Sequence, residues 1–258
     1  METNKGLKFK DFFSRITNTE GFGSHIERSI PGYAEWRARS AFAAANVVVT
    51  YSAHAPFVFD VGASEGQWGA TINQIAPQIV VVDIDPNPDM LKNNVNPDSF
   101  KENAAWVEGF EDDGKQIPAF NTKARAGAIG MHMVRQFVTR DGSEWYGEAK
   151  KFLNATGVFF LAVKVIATPG KEDEWKAREK EKDAYKSQFF TEEEMSTKKE
   201  EVLVGMHELM MTLEEEKAAL AEHFKFVEVA WHSANFVGFI AGNDENVVKY
   251  ALETYNKD

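Results

Sequence analysis

The sequence predicts an α/β protein built around a doubly wound, mostly parallel sheet. Short, continuously apolar runs recur along the chain, as they do in strands that are buried on both faces. Stretches of helical pattern separate these runs, where crossover helices would connect parallel strands. Acidic residues close the first two runs, at the edge where such sheets bind ligands. With 258 residues, of which 43% are hydrophobic, the chain can bury the core of one such domain.

The segment of residues 1–53 is expected to form an N-terminal cap and a helix. Aromatic residues and turn formers mix over the first 35 residues, and an alanine-rich stretch runs from Ala34 to Ala53. The candidate strands that follow are Phe57 to Asp60, Ile79 to Asp85, Ala126 to Met131, Gly157 to Ile166, Phe226 to Trp231 and Phe236 to Ala241. A helix from Trp68 to Ile75 would complete a right-handed βαβ unit between the first two strands.

A charge-rich stretch over residues 170–223 is predicted to be a helical insert before the last two strands of a single domain, residues 1–258. Thr191 with Glu194, and Thr212 with Glu215, have the spacing of a capping box, which predicts two helix starts. Between them, apolar residues from Val202 to Leu213 form one stripe at helical spacing. That stripe predicts a helix over the same residues.

The composition limits the kinds of molecule that the protein is expected to bind. The formal net charge is −11 and there are no cysteines, so binding to nucleic acid and disulfide or thiolate-metal chemistry are disfavoured. The scattered histidines lack metal-ligand spacing, and no metal site is predicted. Neither a signal peptide nor a membrane-length apolar run is evident. We therefore expect a cytoplasmic protein that acts on a small molecule.

A glycine turn follows the first predicted strand: Asp60-Val61-Gly62-Ala63-Ser64-Glu65-Gly66. Gly62 and Gly66 let the backbone approach a ligand closely. The spacing differs from the G-x-G-x-x-G of dinucleotide enzymes, and Glu65 would repel a diphosphate. The turn therefore favours a nucleoside or an amino acid, with Asp60, Gly62, Ala63, Ser64 and Gly66 as its contacts.

An acidic pair, Asp83 and Asp85, ends the second predicted strand about 20 residues after the turn, where an acid can accept both ribose hydroxyls. The two lie on the same strand face, so either could hold the ribose. Asp85 is favoured because it lies nearer the strand end, and the alternative role for Asp83 is in a turn or helix cap. Further on, Phe110 could face a purine ring and Glu111 its exocyclic amine.

Several segments together resemble the carboxy-S-adenosylmethionine synthase family, which belongs to the class I methyltransferase superfamily. The resemblance covers residues 25–242, and its motifs are Arg28-Ser29-Ile30-Pro31-Gly32-Tyr33, the glycine turn, Ile84-Asp85, Gln136-Phe137, Lys164 and Asn235-Phe236. It implies the class I methyltransferase fold, S-adenosylmethionine or its carboxylated form as cofactor, and a homodimer. It also implies that Tyr33 closes over the sulfonium, that Gly62 lies beneath the cofactor and that Asp85 holds the ribose.

Two positions depart from that family. Lys199 stands where the family has an arginine that clamps the added carboxylate, and a lysine cannot form the bidentate fork. His132 stands where the family has an asparagine, so it is a candidate cofactor contact and general base; the alternative is a histidine packed against Met131 and Met133.

The catalytic candidates are therefore Tyr33, His132 and Lys199. The expected function is methyl transfer from S-adenosylmethionine to a small-molecule acceptor. One alternative is carboxy-S-adenosylmethionine synthesis from prephenate. A second alternative is a noncatalytic cofactor-binding or dimerisation protein.

Overall fold

The computed structural model describes residues 16, 21–54, 56–85, 89–90, 93–96, 125–138, 140, 142–200 and 204–257. Helices in this part of the chain are α1 (Phe22–Ser29), α2 (Tyr33–Tyr51), α3 (Gln67–Ile75), α4 (Arg135–Val138), α5 (Ser143–Phe152), α6 (Glu172–Lys186), α7 (Glu192–Lys198), α8 (Val204–His207), α9 (Leu213–Ala221) and α10 (Glu245–Tyr255). Strands are β1 (Phe57–Val61), β2 (Val80–Ile84), β3 (Ala126–His132), β4 (Leu153–Lys164), β5 (Phe226–Ser233) and β6 (Phe236–Gly242). None of these helices combines the length and the apolar character needed to cross a bilayer.

The strands form one sheet in the order β2-β1-β3-β4-β6-β5. Strands β1 to β4 pair in parallel, whereas β6 runs antiparallel to both β4 and β5. The predicted doubly wound, mostly parallel sheet is therefore confirmed. The order reverses between β1 and β3, so their carboxyl ends open a crevice where such sheets bind ligands.

Each face of the sheet carries its own core. Val58, Phe160 and Ile240 pack against α2, α3 and α10 on one face. Their chain neighbours point the other way: Phe59 and Phe159 join α5 and α9 on the opposite face. Successive residues of a strand face opposite sides, so strands covered on both sides read as continuous apolar runs.

The insert region begins its helices where the sequence predicts. Thr191 and Thr212 are N-caps of α7 and α9, and both capping boxes are formed. The helix predicted from the apolar stripe is wrong, because α8 ends at His207. Beyond it the backbone bonds to other elements: the N–H of Ile166 donates to the carbonyl of Met211 (3.0 Å). The apolar side chains of this stretch therefore enter the core from a loop.

A buried ion pair joins α4 to α9 and also contacts this loop. Arg135 and Glu216 form a salt bridge in which both side chains have no exposed surface. Arg135 Nη1 also donates to the carbonyl of Leu209 (2.5 Å), and Tyr146 Oη donates to Glu216 Oε2 (2.6 Å). Arg135 and Glu216 depend on each other, because a buried charge without a counterion lowers the free energy of unfolding.

Replacing Glu216 with alanine should therefore destabilise the protein by about 3–5 kcal/mol, since it leaves the Arg135 guanidinium buried without its counterion. Urea denaturation followed by circular dichroism measures the change. The matched control is Lys249→Ala, which removes an exposed pair with Glu245 on α10 and should leave the midpoint unchanged. Equal effects of the two substitutions would contradict a structural role for the buried pair.

Candidate functional site

The glycine turn joins β1 to α3 and is fastened to the end of β2. The N–H groups of Gly62 and Ala63 both donate to the carbonyl of Ile84, at 2.7 and 3.0 Å. Gly62 and Gly66 have φ of 72° and 73°, a region that glycine occupies without steric cost. A Cβ at Gly62 would also overlap Cγ2 of Val134. Glycine at this position is therefore required by the backbone and by the packing around it.

The two acids after the turn have different surroundings. Asp85 Oδ2 accepts the Ser64 N–H at 2.9 Å and so supports a non-glycine residue at φ 57°, a strained conformation of the kind that clusters at functional sites. Asp83 is fully buried, and Oδ2 accepts from Asn94 Nδ2 at 3.2 Å. A Cβ on Gly66 would lie 2.6 Å from Asp83 Oδ2, so Asp83 lies beneath the start of α3. Asp85 is therefore the better placed of the two for a ligand.

Asp60 lies at the carboxyl end of β1, directly opposite Asp83 in the parallel register. It is 2% exposed. Burial, reinforced by Asp83 and Asp85, raises the pKa of Asp60 well above its usual range, and Arg37 partly offsets the effect. Three carboxyl groups thus lie close together beneath the turn, and a cationic group bound there would favour their ionised form.

Tyr33 and Arg37 lie one turn apart on α2 and face Asp60. Burial raises the pKa of the Tyr33 phenol, and Asp60 adds to that effect; the phenol therefore stays neutral. Arg37 Nη2 pairs with Glu27, whereas Nη1 is buried and has no hydrogen-bond partner among the described residues. Reasoning from the sequence missed Arg37, although its spacing of four residues from Tyr33 on a predicted helix could have indicated it.

His132 ends β3 between two tryptophans. Trp36 Nε1 donates to His132 Nδ1 at 3.0 Å, and the rings of Trp36 and Trp68 lie with centroids 6.0 and 5.0 Å from the imidazole. Burial, with a smaller effect of Arg37, lowers the pKa of His132 to about 3.

The tautomer of His132 follows from this contact. Nδ1 accepts a hydrogen bond, so the proton of the neutral ring is on Nε2, and Nε2 is buried without a partner among the described residues. In this arrangement His132 is a neutral imidazole whose Nε2 lies over Gly130 and beside Trp68. The aromatic neighbours of the ring are Trp36 and Trp68.

Lys199 is exposed and lines a cavity of about 820 Å³ with Trp175 and His207. No residue of the glycine turn lines that cavity. The neighbouring Lys198 instead turns toward α1, where Nζ donates to His25 Nε2 and to Ser29 Oγ, both at 2.7 Å. The structure brings Tyr33, Asp60, Asp83, Asp85 and His132 to the turn; Lys199 lies elsewhere, and Phe110 and Glu111 fall outside the described residues.

Comparison with known proteins identifies the fold. No family model and no curated protein sequence match the chain. The plantazolicin methyltransferase BpumL in complex with SAH superposes with a TM-score of 0.57 at 12% identity, over 93% of this chain and 98% of that one. The plantazolicin methyltransferase BamL in complex with a triazolic desmethylPZN analog and SAH gives 0.58 at 13% identity, over 97% and 89%. The chain therefore has the class I methyltransferase fold.

Protonation of His132 should be visible in the pH dependence of stability. Because burial holds its folded pKa near 3, only the unfolded state binds this proton between about pH 6 and pH 3. Stability should then fall with falling pH, with His132 contributing about 1.4 kcal/mol per pH unit. Urea denaturation across this range should show a shallower slope for His132→Asn. A variant that keeps the wild-type slope would mean that His132 is protonated in the folded protein.

Proposed function

We propose that this protein is an S-adenosylmethionine-dependent transferase that moves a methyl group to a small-molecule acceptor. The observation that carries the proposal is a pair of charges at the glycine turn. Arg37 presents a buried, unpartnered guanidinium nitrogen on the α2 side, and Asp85 lies at the edge of β2 on the other. The class I methyltransferase fold, with relatives solved as SAH complexes, supports the same ligand.

The two charges match the two polar ends of this cofactor. Arg37 Nη1 would hold the carboxylate of the amino-acid part, because a guanidinium binds carboxylates in a planar, directional arrangement. Asp85 would accept from the ribose hydroxyls, while its Oδ2 also holds the N–H of Ser64 at 2.9 Å. The neighbouring carboxyl groups of Asp60, Asp83 and Asp85 would favour the positive sulfonium between those ends, because a cation stabilises their ionised form.

When bound, S-adenosylmethionine supplies an electrophilic methyl carbon. That carbon would pass to the acceptor's nucleophile, with a thioether as the leaving group and the proton of the nucleophile going to water. Alignment accounts for most of the rate of such a step. Neutral Tyr33 can orient polar groups of the acceptor, and His132, whose pKa burial lowers to about 3 and whose proton is on Nε2, does not serve as a base.

The placement of Lys199 favours the unsubstituted cofactor over its carboxylated form. The resemblance places the clamp for the added carboxylate at this residue, whose exposed side chain lines a cavity apart from the glycine turn. No contact among the described residues brings a second cation to the turn in its place. Methyl transfer is therefore the function that we propose.

Isothermal titration calorimetry with S-adenosylmethionine and S-adenosylhomocysteine tests the cofactor. The wild type should bind both, and Arg37→Met should weaken both by about ten- to a hundredfold, because it removes a charge-assisted hydrogen bond. Arg39→Met is the matched control, since Arg39 lies on the same helix and pairs with Glu35 at 3.0 Å. A wild type with no measurable affinity for either compound would overturn the proposed function.

A second titration should distinguish the roles of Asp85 and Asp83. Asp85→Asn keeps an oxygen for the Ser64 N–H but loses the charge, so affinity for S-adenosylhomocysteine should fall about tenfold or more. Asp83→Asn should mainly lower the free energy of unfolding, since that carboxylate is packed beneath Gly66. The opposite pattern, with affinity lost only in the Asp83 variant, would assign the ribose to Asp83.

A further inference from the structure

A second cavity lies beside the proposed cofactor site, between α1, α6 and the carboxyl end of β4. Its volume is about 70 Å³, whereas one water needs roughly 10–15 Å³ measured with a water-sized probe. The walls are largely apolar, with Ile30, Met133 and Phe236 among them. The cavity can therefore hold the core of a small organic molecule.

Four lysines surround this apolar space: Lys164, Lys182, Lys186 and Lys198. The nearby carboxylate of Glu179 pairs with Lys164 at 3.0 Å and also with Lys182. Asp183 lies 3.4 Å from Lys182, but its side chain is 59% exposed. Lys164, Lys182 and Lys186 thus share two carboxylates, so these three ammonium groups carry one positive charge more than the carboxylates beside them.

The lysines on the wall are held at an electrostatic cost. Burial, followed by repulsion from Lys182, lowers the pKa of Lys164 to about 8, and the same two causes lower the pKa of Lys186. Lys186 is 4% exposed, and its ammonium has no salt bridge or hydrogen-bond acceptor among the described residues. Asp183 and Glu179 offset the lowering of the Lys186 pKa in part, and an anionic ligand would add a counterion in direct contact.

Gln136 adds a hydrogen-bond acceptor to the same wall. It is 2% exposed, and its Nε2 contacts Met133 Sδ at 3.7 Å. Its Oε1 is buried without a partner among the described residues. A bound hydroxyl or amine would give this oxygen its donor.

The cavity is joined to the proposed transfer site through Met133. This residue follows His132 directly and lines the cavity. Its backbone has φ 61°, an unusual conformation for a residue with a side chain, and its N–H donates to the carbonyl of Ala162 at 2.7 Å. The turn at Met133 thus places the cavity one residue along the chain from His132, at the end of β3.

We propose that this cavity binds the methyl acceptor, and that the acceptor is a short organic anion carrying a hydroxyl or amine. Its carboxylate or phosphate is held by Lys186 and Lys198, its carbon chain packs on Met133 and Phe236, and its nucleophile lies near Gln136. The assignment of the ligand as the acceptor rests on the proposed function. The anion site itself stands on the lysines alone.

Calorimetry on the purified full chain without cofactor tests the site, using 3-hydroxybutyrate, its neutral amide and inorganic phosphate as probes. We expect 3-hydroxybutyrate to bind about tenfold more tightly than the amide, because its charge meets an uncompensated cation. Tighter binding of phosphate, with the same dependence on Lys186, would also support the site and identify a phosphate as the anionic group. Equal binding of acid and amide, or no binding of either anion, would overturn the proposal.

Variants locate the site. Lys186→Met keeps most of the chain's apolar volume and should weaken binding of 3-hydroxybutyrate by about tenfold; Lys198→Met should act in the same direction. Lys180→Met is the matched control, because Lys180 is exposed on the same helix, and it should leave binding unchanged. Wild-type affinity in folded Lys186→Met and Lys198→Met proteins would place the anion elsewhere and overturn the proposal.

The cofactor titration separates this proposal from the proposed function. Binding of the anion without affinity for S-adenosylhomocysteine would leave the anion site standing and reject the methyl transfer. Affinity for S-adenosylhomocysteine without binding of either anion would do the reverse.

Discussion

The carboxylate of Glu65 links the glycine turn to α1, and so links the proposed cofactor site to the lysine-lined cavity. It belongs to the glycine turn, yet it accepts the N–H groups of Phe22 and Gly23 at the start of α1, at 2.6 and 3.0 Å, and the side chain of Gln67 at 2.9 Å. An acidic group at a helix N-terminus satisfies donors that have no partner within the helix. The first turn of α1 is thereby fixed to the turn that we assign to the cofactor. Because α1 also forms a wall of the lysine-lined cavity, both proposed sites depend on this contact.

The sheet could be predicted from the sequence because its strands are covered on both faces. The runs that end at Asp60 and Asp85 predicted strands β1 and β2 within one or two residues of their observed bounds. The glycine turn was equally predictable, since few local conformations require glycine at both 62 and 66. The local sequence pattern was therefore sufficient to predict those features whose backbone conformation itself requires particular residue types.

The remaining features depend on contacts between distant segments, which a local pattern does not record. Arg37 is a candidate cofactor contact because Glu27 pairs with Nη2, whereas Nη1 is buried without a hydrogen-bond partner among the described residues. The stripe from Val202 to Leu213 has helical spacing, but the helix ends at His207. Beyond that end, the Leu209 carbonyl accepts a hydrogen bond from the Arg135 side chain. The sequence pattern does not distinguish the roles of the adjacent residues Lys198 and Lys199. In the structure Lys198 is the one that contacts α1, where it bonds to His25 and Ser29.

The net charge of −11 acts at long range, whereas the chemistry of a cleft depends on groups within a few ångströms. The acids Asp60, Asp83 and Asp85 lie together at the glycine turn, and the lysines line the cavity that Gln136 also lines. A cationic methyl donor would be attracted to the acids and an anionic acceptor to the lysines. Opposite charges on the two ligands would also attract each other. The low pKa of His132 keeps its imidazole neutral, so this side chain adds no positive charge that would weaken that attraction.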